Sequence, residues 1–506
     1  MNKVYQKECE SSLEYSLPDY MGDVKKILAV SAAPIPSGKF AGEGEAEFSG
    51  IVSYDILYSD TEGKLTRINA SSDYDVSVPI DSESYKDSQI ETRSSGVAVR
   101  LTGPRKLIAK ANLSNNIRVS SGEELGVLGT AFSAGQSPEV AKKTVLVEDS
   151  IFAASAEREY AEEAERFPGV SADDIEIIAT SGAVRIIEAT ATEGGVLVKG
   201  EFIITSIVRT ENQPPFAIKK VVPFEETVSA EGATPDMQAA ADGYLTSVTS
   251  GISEDAEGST LTVNAICELS ATLAYNRELE VMTDAYLKNR DTDSRYEDFE
   301  YSELVASGCT EESFSASVSR SDVGCEEIRD ILALSCDVRS LEKNIDSQGF
   351  NISGEAAFSA VACEVNGDGE IGYLPLKFSV PFSLKVDVKK QIPHGSNIEC
   401  FVSCPNTERV LEGERLSVKN TFKISYRISK PNTLRRITEC NAVGDNEYHD
   451  TPSVIRVYYP EANESLFDIA KAYHTTAAKI AADNNLDIAA SSISDAPLGV
   501  KKLIIK

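Results

Sequence analysis

The sequence predicts a mainly β protein: three tandem antiparallel β-rich modules of the sandwich or open-barrel kind, followed by a small βααβ domain. Three observations carry this expectation. Similar segments recur about 155 residues apart. Within them apolar and polar residues alternate with period two, the pattern of half-buried strands. Helical signals are sparse and sit between the modules until about Ser453, where the pattern changes to two helices between two short strands.

The repeat is clearest in GEAEFSGIV (Gly44–Val52) and GEAAFSAV (Gly354–Val361), with a weaker copy, GEFIITSIV, at Gly200–Val208. Flanking motifs keep the same order. Upstream lie ILAV at Ile27–Val30, IIAT at Ile177–Thr180 and ILAL at Ile331–Leu334; downstream lie YDVSVPI at Tyr74–Ile80, FEETVSA at Phe224–Ala230 and FSLKVDV at Phe382–Val388. A period of this length is that of a domain, not of a solenoid unit. The expected modules span 20–150, 170–287 and 325–435, and the terminal domain spans 453–506.

Phe382, Leu384, Val386 and Val388 alternate with polar residues, as do Val198, Phe202 and Ile204 around Gly200. Turn clusters separate the strands: SDTEGK at Ser59–Lys64, SEDAEGS at Ser253–Ser259 and NGDGE at Asn366–Glu370. The Ala- and Glu-rich stretch Ala154–Phe167, ending before Pro168, predicts an exposed linking helix. Lys288–Glu303, highly charged, predicts an exposed linker.

The chain has 506 residues and a formal net charge of −31. Such a polyanion repels phosphate backbones, and its densest basic clusters are pairs, so nucleic acid is excluded as a partner. The N-terminus lacks the apolar run of a secretory signal, and no stretch reaches the length of a membrane span. A cytoplasmic protein is expected. Nine scattered cysteines read as reduced, packed thiols rather than a disulfide framework. Only Cys400 and Cys404 lie close together, and a zinc site needs about four ligands. Glu364–Pro375 imitates a calcium loop but ends on proline where a bidentate carboxylate belongs, so an ion-free hairpin tip is expected. There is no Walker loop, dinucleotide fingerprint or nucleophile elbow, and His394, His449 and His474 neighbour no recognisable catalytic motif. The expectation is therefore a non-enzyme without metal or cofactor.

In the terminal domain IRVYYP (Ile455–Pro460) reads as a strand. SLFDIAKAYHT (Ser465–Thr475) reads as a helix capped by Ser465, TAAKIAADNN (Thr476–Asn485) as a second helix, and LGVKKLIIK (Leu498–Lys506) as a closing strand. NESL at Asn463–Leu466, Ile469–Ala470, Asn484 and the final apolar strand resemble the LysM domain. Asn463 stands where glycine is usual, and the loop from Asp487 to Pro497 is longer than typical. The resemblance implies a ligand groove between Asn463, Glu464 and Ser465 on one side and Asn484, Asn485, Leu486 and Leu498 on the other. Phe467, off the Leu466–Ile469 stripe, is either a surface aromatic of that groove or a residue packed against its own domain. The three modules resemble the SPOCS family, on their opening strands, Gly-Glu strands, Phe/Tyr strands and the DAY-type ending at Asp284–Tyr286. SPOCS modules with a terminal LysM resemble spore coat morphogenetic proteins. That resemblance implies an assembly scaffold in the mother cell, at the forespore surface, whose LysM domain contacts a coat-basement ATPase of the SpoIVA type. The alternative is a wall protein whose LysM domain binds peptidoglycan or a chitin-type N-acetylglucosamine polymer.

Overall fold

The computed structural model describes residues 2–122, 138–154, 157–211, 213–319, 321, 328–365, 371–412, 415–444, 448, 455–461, 464–486 and 502–505. The fold is mainly β, as expected, with antiparallel sheets throughout and two short helices near the C-terminus.

The first module contains β1 (Asn2–Ser16), β2 (Val24–Ala41), β3 (Glu45–Asp60), β4 (Leu65–Pro79), β5 (Tyr85–Gly103) and β6 (Lys106–Ser121). Its middle strands form a meander, β2-β3-β4. Its outer strands form a second sheet, β1-β6-β5. Strand β3 shows why: Ala46, Phe48, Val52, Tyr54 and Ile56 are buried at alternate positions, so one face of the meander must be covered. Leu107, Ala109, Ala111 and Leu113 of β6 cover it.

The other modules repeat this plan. The second contains β7 (Glu139–Ala154), β8 (Arg158–Pro168), β9 (Ile175–Thr192), β10 (Gly195–Thr210), β11 (Gln213–Ser229), β12 (Gln238–Asp255) and β13 (Gly258–Tyr286). Its sheets are β9-β10-β11 and β12-β13-β7, with β8 beside β13. The third contains β14 (Asp291–Ser319), β15 (Ile328–Ile345), β16 (Gly349–Val365), β17 (Ile371–Asp387), β18 (Asn397–Glu412) and β19 (Arg415–Val443), as sheets β15-β16-β17 and β14-β19-β18. In every module the two sheets meet along one seam: β2 with β5, β9 with β12, and β15 with β18.

Each module's first strand pairs with its last, and this moves the expected limits. Strand β1 pairs with β6, ahead of an expected start at residue 20. Strand β7 pairs with β13, so residues 139–150 join the second module rather than the first. The predicted helix at Ala154–Phe167 is instead largely strand β8. The long β13 leaves a ladder edge from Gly258 to Cys267, and pairing with it overrides the helical propensity of an Ala/Glu-rich segment. Tyr160 anchors β8 by packing on Phe202 at 4.7 Å. The predicted linker Lys288–Glu303 is largely the start of β14; its charges face outward while Phe299 packs on Val145, Val147 and Val281. The expected hairpin tip Asn366–Glu370 lies outside the described residues, between the paired Val365 and Ile371.

The glycine of the repeat is also repositioned in the first module. Gly200 and Gly354 sit in the central strands opposite Phe224 and Phe382. Their counterpart is Gly50, opposite Tyr74, and not Gly44, which holds a positive φ in the turn before β3. A Cβ at Gly50 or Gly200 would lie 2.5 Å from a backbone carbonyl and within 2.6 Å of the facing ring. The aromatic ring fills the space that the missing side chain leaves.

The opening motifs hold the modules together. Each carries a β-bulge that leaves one residue unpaired: Leu28, Ile178 and Leu332. A bulge re-aims its side chain, and here all three converge on one apolar cluster with Leu57, Leu65, Ile207, Val361 and Cys363. Strand β4 packs on β9, β11 on β15 and β17 on β2, which closes a ring. Ion pairs cross the junctions: Arg118–Glu399 at 2.9 Å, Arg185–Glu311 at 2.6 Å, Lys423–Asp242 at 2.9 Å, and the buried Arg427–Glu148.

Candidate binding site of the terminal domain

The terminal domain is built from β20 (Arg456–Tyr458), α1 (Leu466–Ala472), α2 (Ala477–Asp483) and β21 (Leu503–Ile505), with β20 and β21 antiparallel. Short helices need strong caps. Ser465 accepts a bond from the Asp468 amide at 3.1 Å, and Asp468 accepts one from the Ser465 amide at 3.1 Å, a complete capping box. Thr476 caps α2 by accepting from Lys479 N–H at 3.1 Å. The core is Leu466, Ile469, Ala470, Ala477, Ile480, Leu503 and Ile505.

Most polar groups of the expected groove are engaged within the domain. The Glu464 carboxylate accepts from the Tyr458 hydroxyl at 2.7 Å and from the Glu461 amide at 2.9 Å. Holding that proton against a carboxylate pushes the Tyr458 phenol up to about 12. The Ser465 hydroxyl donates to Asp468 at 2.7 Å. Asn484 bridges α2 to β21, donating to the carbonyls of Ile480 and Ile504 and accepting from Ile504 N–H at 2.7 Å. Asn485, in a left-handed conformation with φ of 51°, is exposed, and Leu486 beside it is half-buried. Asn463 and Leu498 lie outside the described residues.

Phe467 is 4% exposed and is not a surface aromatic. It belongs to its own core and also meets the second module, where Tyr286 packs edge-on against it at 5.1 Å. The Tyr286 hydroxyl donates to Thr475 O at 2.7 Å, and Lys471 pairs with Asp284 at 2.6 Å. Burial works against the Lys471 charge, but the Asp284 carboxylate outweighs it and raises the pKa. His474 stacks on Tyr448 with ring centres 3.8 Å apart. The terminal domain is therefore seated on the ends of β7 and β13. Asp284 and Tyr286 of the DAY ending form that seat; their sequence marks a repeat and carries no sign of a docking role.

One face of the two-stranded sheet is exposed and apolar. Ile455, Val457 and Tyr459 are exposed by 68%, 56% and 70%, and Ile504, paired with Val457, by 37%. Among the described residues no cluster of side chains could hold a metal ion, and no helix is long and apolar enough to cross a membrane.

The architecture is a small βααβ domain fixed to a ring of three β modules. Residues 174–253, from β9 through most of β12, match the family model described as SipL, SPOCS domain, and residues 461–490 match the LysM domain. The chain thus carries one segment similar to SPOCS domains and one similar to LysM domains, and no enzyme family is among its matches. No curated protein and no solved structure matches the chain.

Proposed function

We propose that this protein is an assembly scaffold of the spore coat, acting in the mother cell at the forespore surface. Its LysM domain docks onto a coat-basement ATPase of the SpoIVA type. The exposed apolar row of Ile455, Val457, Tyr459 and Ile504 carries this reading. Apolar and aromatic side chains form the centres of protein interfaces. A sugar polymer needs free hydrogen-bonding groups for its hydroxyls, and Glu464, Ser465 and Asn484 spend theirs inside the domain. The three-module ring supplies a rigid platform.

The second reading is a LysM that binds peptidoglycan or chitin-type glycan. The LysM match supports it, with Tyr459 available to stack on a sugar ring. Direct binding of the full chain to the purified ATPase separates the two. Tyr459→Ala should weaken that complex by about 2 kcal/mol, roughly 30-fold in Kd. The melting temperature should not change, because the side chain is exposed. Micromolar binding of chitin oligomers, with none of the ATPase, would establish the glycan reading instead.

A further inference from the structure

Cys336 and Cys404 are far apart in sequence but meet at the seam of the third module. Cys336 lies on β15, the edge of one sheet, and Cys404 on β18, the edge of the other. Both side chains pack against the same core, and both are half-buried. Cys404 falls in a register shift between Ser403 and Asn406, where the ladder releases a side chain toward the seam. Asp330 of β15 and Arg409 of β18 pair at 2.7 Å across the same seam, and the neighbouring Cys336 thiol holds the Cys404 pKa below its ordinary value while Cys404 pushes that of Cys336 up. Thr407 Oγ1 lies 3.5 Å from the Cys404 sulfur. The repeat shows that Cys336 is an addition to the module. In the aligned opening motifs ILAVSA, IIATSG and ILALSC, Cys336 replaces Ala32 and Gly182.

We infer that Cys336 and Cys404 are a redox-sensitive dithiol, and that a peroxide oxidises them to a disulfide that staples the two sheets of the third module. Cys404, as thiolate, attacks one oxygen of hydrogen peroxide. The O–O bond breaks, hydroxide leaves and takes up a proton as water, and Cys404 becomes a sulfenic acid. Cys336 gives up its proton and attacks the Cys404 sulfur. The S–O bond breaks, a second water leaves and the S–S bond forms. Two electrons pass from the thiols to the peroxide, so two thiols and one peroxide yield one disulfide and two waters.

The test treats the folded full-length chain with hydrogen peroxide and maps its peptides without reduction. The expected product is a Cys336–Cys404 linked peptide, about 2 Da lighter than its two free halves and reversed by dithiothreitol. Oxidation should raise the melting temperature of the native chain. It should not do so in Cys336→Ala, a substitution the fold accommodates at Ala32. In that variant Cys404 should stop at the sulfenic acid and be trapped by dimedone. In Cys404→Ser, Cys336 should remain unmodified. Overturning results would be dimedone capture of Cys404 in the native chain with no linked peptide, or linkage of either residue to any other cysteine.

Discussion

Replacing Leu332 by alanine tests whether the three modules are one cooperative body. Leu332 is fully buried at the ring centre, on the bulge that meets Leu28 and Ile178. Burial of this kind makes Leu→Ala cost about 3 kcal/mol. What that does to the melting temperature depends on the size of the unit that melts. Unfolding entropy is ~2.1 cal/mol/K per residue, so a single module of roughly 150 residues would lose about 10 °C. A ring melting as a whole, roughly 440 residues, would lose only about 3 °C. Calorimetry of the full chain distinguishes the two. The ring predicts a main transition that stays single and moves by the smaller amount. A separate transition, about 10 °C lower and carrying only a third of the enthalpy, would refute the idea that the central cluster couples the modules.

Three further outcomes follow from the packing. Gly200→Ala should destabilise by about 1–3 kcal/mol, since its Cβ would strike Arg185 O and the Phe224 ring, whereas Gly354→Ala, with its contacts at 2.9 and 3.2 Å, should cost less; denaturant titration ranks them. Arg427→Met strands the buried Glu148 and should cost about 3–5 kcal/mol, while the double variant Arg427→Met/Glu148→Leu should recover most of it; equal stability of the single variant and the native chain would refute the assignment. Burial opposes ionisation of Asp242, but Lys423 and Arg93 prevail and lower its pKa to about 2. Stability from this lowered carboxylate is complete above the ordinary carboxylate range and lost as pH falls toward 2, so the gap between the native chain and Asp242→Asn should close over that interval.

The repeat, the strand character and the LysM domain were legible because they rest on local patterns: period-two alternation, turn glycines, and a capped helix with its apolar stripe. The features that escaped are those in which distant pairing decides. The Ala/Glu-rich segment at β8 has helical composition, yet an open ladder edge on β13 claims it. Strand β7 reads as the end of one module but completes the next. The Gly-Glu pair recurs at Gly44, but the facing ring, Tyr74, selects Gly50 as the register glycine. Phe467 is off the stripe of its own helix because it serves two cores at once, and a helical periodicity describes only one of them.

The ring contact has a further consequence. Each module presents the same two different faces, one to the module before it and one to the module after, and three such contacts return to the start. This is the geometry of a heterologous interface that closes as a cyclic trimer. The covalent chain joins what three separate subunits could equally form. A protein with one module of this kind would leave both faces open, with the counterpart of the bulged leucine in solvent, and would bury it by forming a homotrimer.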